Sequence, residues 1–282
     1  MKEKILSILN ESSFSEKLIR YVKDEFPSNY KKLFNKPYHK AYSKNPILGL
    51  EIPERVNESL AQLIDLKEFY KNKEIPLTYL YESLYDLSYR LERYQKNYGV
   101  FGLSDWDLKW LSSLYKAEIF NLGSLRFQIS YFSNKEIERS DYQYMPLEEK
   151  WKKRFPEGTP IITIHILENT DFSPNKIDKS FNLARDFFEK YFIDHKYEIF
   201  ICRTWLLYEP TRDILDKNSN IAAFSKRFQI IAENKNTKQA LDRIYGTSDM
   251  SAINKMDKNT SLEKIAYKKL DKLGVAAGII YK

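Results

Sequence analysis

IITIHIL at 161–167, SPNKIDKSFNLARDFFEKYF at 173–192 and YEIFICRTWL at 197–206 are the three runs that decide the fold of this chain. The first and last are rich in β-branched and aromatic residues, which favour strands. The middle run places its apolar residues three or four apart, which is the spacing of an amphipathic helix. Ser173 is a favourable N-cap and Pro174 suits the first helical position. The order is therefore strand, long helix, strand.

The residues before this stretch predict helices. Apolar residues recur at helical spacing through most of residues 1–118, and Pro53 and Pro76 each suit the start of a helix. Ser104, followed three residues later by Asp107, predicts a capping box.

The rest of the chain alternates strands and helices. The run 122–132 alternates apolar and polar residues, as a half-buried strand does. Further strands are predicted at about 222–232 and at 275–281. Thr260 and Glu263 predict a capping box at the start of the last helix.

The two halves of the chain therefore differ in kind. We predict an α+β fold in which a helical N-terminal domain, residues 1–120, is followed by a mixed α/β domain, residues 121–282.

Composition excludes several classes of protein. The hydrophobic fraction of 43% supplies a core, and a net charge of +7 is too mild to indicate a nucleic-acid partner. Cys202 is the single cysteine, which excludes a disulfide framework and favours a cytoplasmic location. No run of about 18 apolar residues predicts a membrane span. The three histidines, one of them His39, are too scattered for a zinc site, and no metal is expected.

Several segments of the second half resemble the GNAT-like C-terminal domain of a family of acyltransferases whose N-terminal domain is helical. The segments that carry the resemblance are GVFGLSDWDLKWL at 99–111, IFNLGSLRFQI at 119–129, IHIL at 164–167, ARDFFEKYF at 184–192, CRTWLL at 202–207, SNIAAFSKRFQI at 219–230 and TSLEK at 260–264. The resemblance covers about residues 95–282.

This resemblance implies a site for acetyl-CoA or another acyl-CoA. In the GNAT superfamily, the strands on either side of the long helix splay apart, and the pantetheine arm lies in the notch between them. Residues 161–167 and 197–206 would flank that notch. The loop that enters the helix holds the pyrophosphate through backbone N–H groups and the helix dipole. Here that loop is 168–175, and its implied cofactor-binding residues are Asn169, Thr170, Ser173 and Asn175.

The loop departs from the pattern of active relatives. Those relatives have glycines in this loop, where backbone must approach the phosphates closely. The sequence ENTDFSPN at 168–175 has none, and it places Glu168 and Asp171 near the implied phosphate position. Like charges there oppose phosphate binding. This favours the alternative of a catalytically inactive GNAT-like binding or scaffold protein.

Three residues are candidates for acid–base catalysis. Tyr208 follows the second notch strand and can serve as the acid for the departing thiolate, or it can be a packing tyrosine. His165 shares a strand face with Thr163 and is either a base or a hydrogen-bonded core histidine. Glu209 is either a base at the mouth of the notch or an ordinary exposed carboxylate.

Two further residues are candidates for substrate binding. Arg203 can hold a carboxylate or phosphate, or it can form a salt bridge with Glu209 or Asp213. Trp205 can wall a pocket or belong to the core. Cys202 shares a strand face with Phe200 and Thr204 and is expected to be a buried, inert thiol. A nucleophilic Cys202 would need a base, for which His165 is the one candidate. Arg227 is interpreted as a charge on an edge strand.

The sequence thus favours an acyl-CoA-dependent N-acyltransferase that acts on a small-molecule or peptide amine. The second hypothesis is the inactive binding or scaffold protein. A nucleic-acid binder is not expected, because the chain carries no motif of that class.

Overall fold

The computed structural model describes residues 1–33, 46–138, 146–168 and 170–282. The predicted phosphate ligand Asn169 and the histidine His39 lie outside this part of the chain. The described residues divide into two compact units, Met1–Asn121 and Leu122–Lys282. Within them, no helix is both long and apolar enough to span a membrane.

The first unit is helical, as predicted. Its helices are α1 (Lys2–Asn10), α2 (Glu16–Asp24), α3 (Ile52–Asn72), α4 (Leu77–Ser83), α5 (Tyr85–Tyr98) and α6 (Asp105–Tyr115). The predicted capping box is confirmed: the Asp107 amide donates to Ser104 Oγ at 3.2 Å, and the Ser104 amide donates to Asp107 Oδ2 at 3.1 Å. The helix expected after Pro76 is interrupted at Leu84 and forms α4 and α5.

Two buried carboxylates join α5 to α6. Asp107 Oδ1 accepts a hydrogen bond from Arg90 Nη1 at 2.6 Å, and Asp86 Oδ1 lies 3.3 Å from Arg90 Nε. The Trp110 indole N–H also donates to Asp86. Both carboxylates are almost inaccessible to solvent, so each depends on these partners for the stability of its charge.

The second unit is built around one sheet. Its strands are β1 (Ile119–Leu122), which spans the boundary between the units, β2 (Leu125–Tyr131), β3 (Pro160–His165), β4 (Ile199–Thr204), β5 (Gln229–Asn234) and β6 (Val275–Tyr281). Its helices are α7 (Asn134–Glu138), α8 (Glu149–Arg154), α9 (Pro174–Tyr191), α10 (Glu209–Ile214), α11 (Asn220–Ser225), α12 (Lys238–Tyr245), α13 (Met250–Ile253) and α14 (Ser261–Lys268). The strand order is β1-β2-β3-β4-β6-β5, and the α+β fold class is therefore confirmed.

Both faces of this sheet are covered. On one, the α9 face, Phe181 packs edge-on against Phe127 and Phe200 of the sheet, with ring centroids 5.9 Å and 5.4 Å apart. On the second face, an apolar cluster contains Phe132, Leu147, Trp151, Phe155, Ile161, Ile199, Ile201, Val275, Ala277 and Ile279. Residues alternate between the faces along each strand, so a residue's position in the strand tells which face it serves.

Small residues on β6 allow the segment after β4 to pack directly on the sheet. A Cβ atom added at Gly278 would lie 2.9 Å from Phe228 Cβ and 3.0 Å from Leu207 Cδ1. A Cβ atom added at Gly274, just before β6, would overlap the Tyr208 ring. Neither glycine has a positive φ, so the need for glycine here is steric.

The strand predicted at 222–232 is wrong in its first half. Residues Asn220–Ser225 form α11, and the strand begins at Gln229. Ser219 caps this helix by accepting a hydrogen bond from the Ala222 amide at 3.2 Å. Arg227 consequently lies in the turn between α11 and β5 rather than in an edge strand, and it forms an ion pair with Asp178 of α9.

We predict that Asp107→Asn lowers the free energy of unfolding by about 3 kcal/mol, because the half-buried Arg90 guanidinium loses its buried charged partner while the Ser104 cap survives. Glu68→Gln, in the solvent-exposed pair with Lys71, is the control and should cause a much smaller change. Urea unfolding followed by circular dichroism measures both. Equal losses in the two variants would show that burial of the Asp107 charge is not important.

Gly274→Ala should lower the free energy of unfolding by about 1–3 kcal/mol, since the new methyl group overlaps the Tyr208 ring. Gly49→Ala is the matched control, because a methyl group there would meet no atom within 4 Å and the φ of Gly49 is ordinary. The measurement is the thermal unfolding midpoint. A midpoint for Gly274→Ala no lower than that of Gly49→Ala would contradict the contact.

Candidate functional site

The parallel pairing of β3 and β4 ends early. It comprises three residue pairs, from Ile162 with Phe200 to Ile164 with Cys202, although β4 continues to Thr204. Beyond the strand, the chain turns into a short 3₁₀ segment, and the Trp205 amide donates to Gln239 Oε1 at 2.8 Å instead of to a strand. The carboxyl ends of β3 and β4, where the resemblance implies a notch, are therefore not paired with each other.

The loop from β3 to α9 uses much of its own hydrogen-bonding capacity. The hydroxyl of Thr170 accepts from the Leu167 amide at 3.0 Å and donates to the Leu167 carbonyl at 2.8 Å. Asp171 Oδ1 accepts from the Ser173 amide at 2.9 Å. These bonds occupy the amides of Leu167 and Ser173, two of the groups that a phosphate loop offers to its ligand.

The Asp171 carboxylate consequently sits at the N-terminus of α9. The hydrogen bond from the Ser173 amide lowers the pKa of Asp171, so the group is ionised at neutral pH. An anion in this place interacts favourably with the helix dipole. Amides remain available nearby: those of Asp171, Phe172 and Asn175 make no hydrogen bond to any described residue.

Tyr208 lies where the chain leaves the 3₁₀ segment and enters α10. The residue is 3% exposed and its ring covers Gly274. Burial, and then the negative charge of Glu233, raise the pKa of Tyr208, so the phenol keeps its proton at neutral pH. The next residue, Glu209, is exposed at the first position of α10.

His165 and Arg203 lie on the second face of the sheet. His165 ends β3, where its Nε2 lies 2.8 Å from Gln128 Oε1, and it pairs with Arg126 of β2. Arg203 is half-buried on β4 and pairs with Ala277. Tyr208 packs on Gly274 and so lies over the α9 face, which means that the candidate base His165 and the candidate acid approach the notch from opposite sides.

Cys202 is buried on the α9 face, and burial raises the pKa of its thiol to about 12. It is paired with Ile164, so it faces away from His165, the next residue of that strand. A Cys202–His165 catalytic pair is excluded by this alternation.

Trp205 lies in an apolar core at the end of the notch. It is 7% exposed and packs with Leu206, Ala240, Leu241, Ile253, Ala266 and Leu273. Ile166 and Phe172, from the loop after β3, are half-buried against this cluster. The notch therefore borders on apolar side chains.

Sequence reasoning missed Glu233, whose charge acts on Tyr208, and Arg212, on which the charges of Glu209 and Glu233 act. Glu233 lies just beyond the strand predicted at 222–232. A charged residue near the end of a strand was the one feature of the sequence that could have pointed to it. No group of three potential metal ligands occurs in the part of the chain that the structure covers.

Comparison with known proteins gives a family and a fold. The family model of the GNAT-like C-terminal domain matches residues 119–279. No curated protein sequence matches the chain. An acyltransferase in complex with decanoyl-CoA and teicoplanin is similar in structure, with 20% identity and a TM-score of 0.63 over 80% of this chain and 65% of that one. An acyltransferase with decanoyl-CoA gives 21% identity and the same TM-score over 80% and 64%.

The chain thus spans about two thirds of the length of these acyltransferases, and at this level of identity the likeness establishes the fold alone. The family match covers more than half of the chain, from β1 to β6, and includes both notch strands and α9. The chain belongs to the family defined by the GNAT-like C-terminal domain.

Proposed function

We propose that the protein is an N-acyltransferase that moves an acyl group from acetyl-CoA or another acyl-CoA to the amine of a small molecule or peptide. The observation that carries this proposal is the parallel pair β3–β4, which stops after Ile164 and Cys202 and has a protonated, buried Tyr208 beyond its end. A gap between paired strands accommodates an extended pantetheine arm. A phenol at this end of the strands can supply the proton that a departing thiolate needs.

The chemistry needs two proton transfers. The amine attacks the thioester carbonyl, the C–S bond breaks, and Tyr208 gives its proton to the thiolate. The attacking nitrogen loses a proton to a base, for which His165 and Glu209 are the candidates. Arg203 and Trp205 remain candidates for substrate binding, since Arg203 lies at the end of β4 and Trp205 directly after it.

Several groups of the α9 loop suit the phosphates of an acyl-CoA. The unoccupied amides of Asp171, Phe172 and Asn175 can donate to phosphate oxygens, together with the Ser173 hydroxyl. Thr170 belongs to the proposed set as well, but its hydroxyl must first release the Leu167 carbonyl. Asn169 completes this proposed set. The negative charge of the Asp171 carboxylate opposes phosphate binding at this loop.

The solved relatives support an apolar acyl chain. They include acyltransferases bound to decanoyl-CoA, to octanoyl-CoA, and to CoA with 10C-teicoplanin. Ile166 and Phe172, half-buried around the Trp205 cluster, offer apolar surface beside the notch for such a chain. We also propose a small-molecule acceptor, because one of these similar acyltransferases was solved in complex with teicoplanin.

The organisation and location of the protein remain proposals too. We propose two domains, residues 1–120 and 121–282, because the chain divides into two compact units close to that boundary. We propose the cytoplasm as the location, because the single cysteine is free and buried.

A second candidate function rests on the α9 loop. Its amides at Leu167 and Ser173 are used internally, and an ionised Asp171 lies at the helix N-terminus. These features favour a GNAT-like binding or scaffold protein without catalytic activity, because they compete with a pyrophosphate for the same groups.

Calorimetric titration with acetyl-CoA, octanoyl-CoA and decanoyl-CoA tests the two functions. We expect saturable micromolar binding, tightest for decanoyl-CoA. Asp171→Asn should tighten it by about tenfold, because asparagine can still accept the hydrogen bond from the Ser173 amide and removes the opposing charge. Absence of binding to both the native protein and Asp171→Asn, with folding verified, would favour the scaffold function.

Tyr208→Phe should lower kcat about 10²- to 10⁴-fold and leave the Kd for acyl-CoA nearly unchanged, because the acid acts in the chemical step alone. Tyr131→Phe, at an exposed tyrosine of β2, is the control. Steady-state acylation of an amine acceptor measures kcat. Full activity in Tyr208→Phe would remove this residue from the mechanism.

A further inference from the structure

The polar side chains of β2 on the second face of the sheet are directed toward the carboxyl end of β3. Ser130 lies opposite Ile161, yet its hydroxyl oxygen lies 2.6 Å from the hydroxyl oxygen of Thr163. Gln128 lies opposite Thr163, yet its Oε1 lies 2.8 Å from Nε2 of His165. Both contacts join diagonal neighbours and are displaced in the same direction along β3. The Gln128 side chain therefore points toward the end of β3 at which the notch is implied.

The two atoms of the Gln128–His165 contact fix the direction of its hydrogen bond. An amide oxygen accepts and does not donate, so Nε2 of His165 carries the proton. In a neutral imidazole, Nδ1 then holds the lone pair, because the hydrogen bond at one ring nitrogen sets the state of the other. Arg126, directly opposite His165, cannot replace Gln128 in this contact, since a guanidinium has donors alone.

The contact lies in a partly dry environment. Gln128 and His165 are both half-buried, and so are Ser130 and Thr163 beside them. A hydrogen bond is electrostatically stronger there than at an exposed surface, where water competes for both groups. The imidazole ring is therefore held in one orientation at the end of β3.

We propose that Gln128 is a positioning residue, which holds His165 as the Nε2–H tautomer and so assigns Nδ1 as the atom that takes the proton from the acceptor amine. This inference rests on the proposed function, in which His165 is a candidate base. A base that acts on a nucleophile is typically oriented by a third group, and Gln128 is that group here.

The proton transfers balance in this arrangement. The amine nitrogen bonds to the thioester carbon and loses a proton to Nδ1 of His165. The imidazolium that forms keeps its Nε2–H on the Gln128 oxygen. The C–S bond breaks, and the thiolate takes the proton of Tyr208. His165 then releases its extra proton to water and Tyr208 regains one, so both groups return to their first state.

Nitrogen NMR spectroscopy of the isotope-labelled protein without acyl-CoA tests the tautomer, at about pH 9, where an ordinary histidine is neutral. The chain has three histidines, and His165→Asn assigns the signal of His165 by removing it. His195 is an internal reference, because its Nε2 lies 2.9 Å from the Ile161 carbonyl oxygen, which also accepts alone. We expect both histidines to carry the proton on Nε2. A proton on Nδ1 of His165 would overturn the proposal.

Two matched variants separate positioning from general stability. Gln128→Leu removes the acceptor of His165, whereas Ser130→Ala removes the neighbouring cross-strand hydrogen bond and leaves His165 untouched. In Gln128→Leu, the Nε2 proton of His165 should exchange with water at least about tenfold faster, since a net hydrogen bond contributes about 1–1.5 kcal/mol. Ser130→Ala and Gln128→Glu, which keeps an acceptor oxygen, should exchange as the native protein does. Equal exchange in Gln128→Leu and Ser130→Ala would contradict the role of Gln128.

Kinetics gives an independent measurement. With both substrates saturating, Gln128→Leu should lower kcat about 10- to 100-fold, a part of what a general base contributes, and leave the Kd for acyl-CoA unchanged. Gln128→Glu should recover most of the loss, and Ser130→Ala should turn over at close to the native rate. Native kcat in Gln128→Leu would overturn the inference. Acyl-CoA binding with the proton on Nδ1 rejects this inference alone, whereas Nε2–H without acyl-CoA binding rejects the proposed function and with it the catalytic purpose of the contact.

Discussion

The parallel contact between β3 and β4 is the constraint on which the second unit depends. Parallel strands cannot be joined by a tight turn, so the chain must cross the sheet between them, and α9 is that crossing. The helix buries its aromatic stripe on Phe127 and Phe200, which fixes the α9 face. The pairing covers three residue pairs and ends before the carboxyl ends of both strands, so those ends are not held together by strand hydrogen bonds.

The packing of the chain just after β4 depends on β6. This strand lies next to β4, and the chain that leaves β4 must fold back over it. Glycine at 274 and 278 removes the side chains that would otherwise hold Leu207 and Tyr208 away from the sheet. The Thr211 hydroxyl donates to the Lys272 carbonyl at 2.8 Å, which fixes α10 against the segment before β6. A small-residue strand therefore positions a phenol.

The features that the sequence predicted are those with local causes. The capping boxes at Ser104 and Thr260 are confirmed because their signals lie within four residues. The amphipathic α9 and the terminal strand β6 follow from periodicity. By contrast, the apolar run at 220–225 resembles a strand in composition and is a helix, although Ser219 before it was an available capping signal.

The candidate site was predictable in its position along the chain more than in its geometry. Tyr208 became a candidate because it follows a notch strand. Its burial over Gly274 and the effect of the Glu233 charge on it depend on the pairing of β5 with β6, which local spacing does not predict.

The α9 loop decides between the two candidate functions through the strength with which it binds the phosphates of acyl-CoA. A pyrophosphate that uses the Ser173 amide must displace the Asp171 carboxylate from it, whereas one held by the neighbouring free amides meets that carboxylate only as a nearby, solvent-exposed charge. Because solvent screens an exposed charge, this competition weakens phosphate binding without abolishing it. The carboxylate meanwhile stabilises the start of α9, the element that holds both notch strands. In this loop without glycine, therefore, the Asp171 carboxylate stabilises the crossing helix and lowers the affinity for the acyl-CoA.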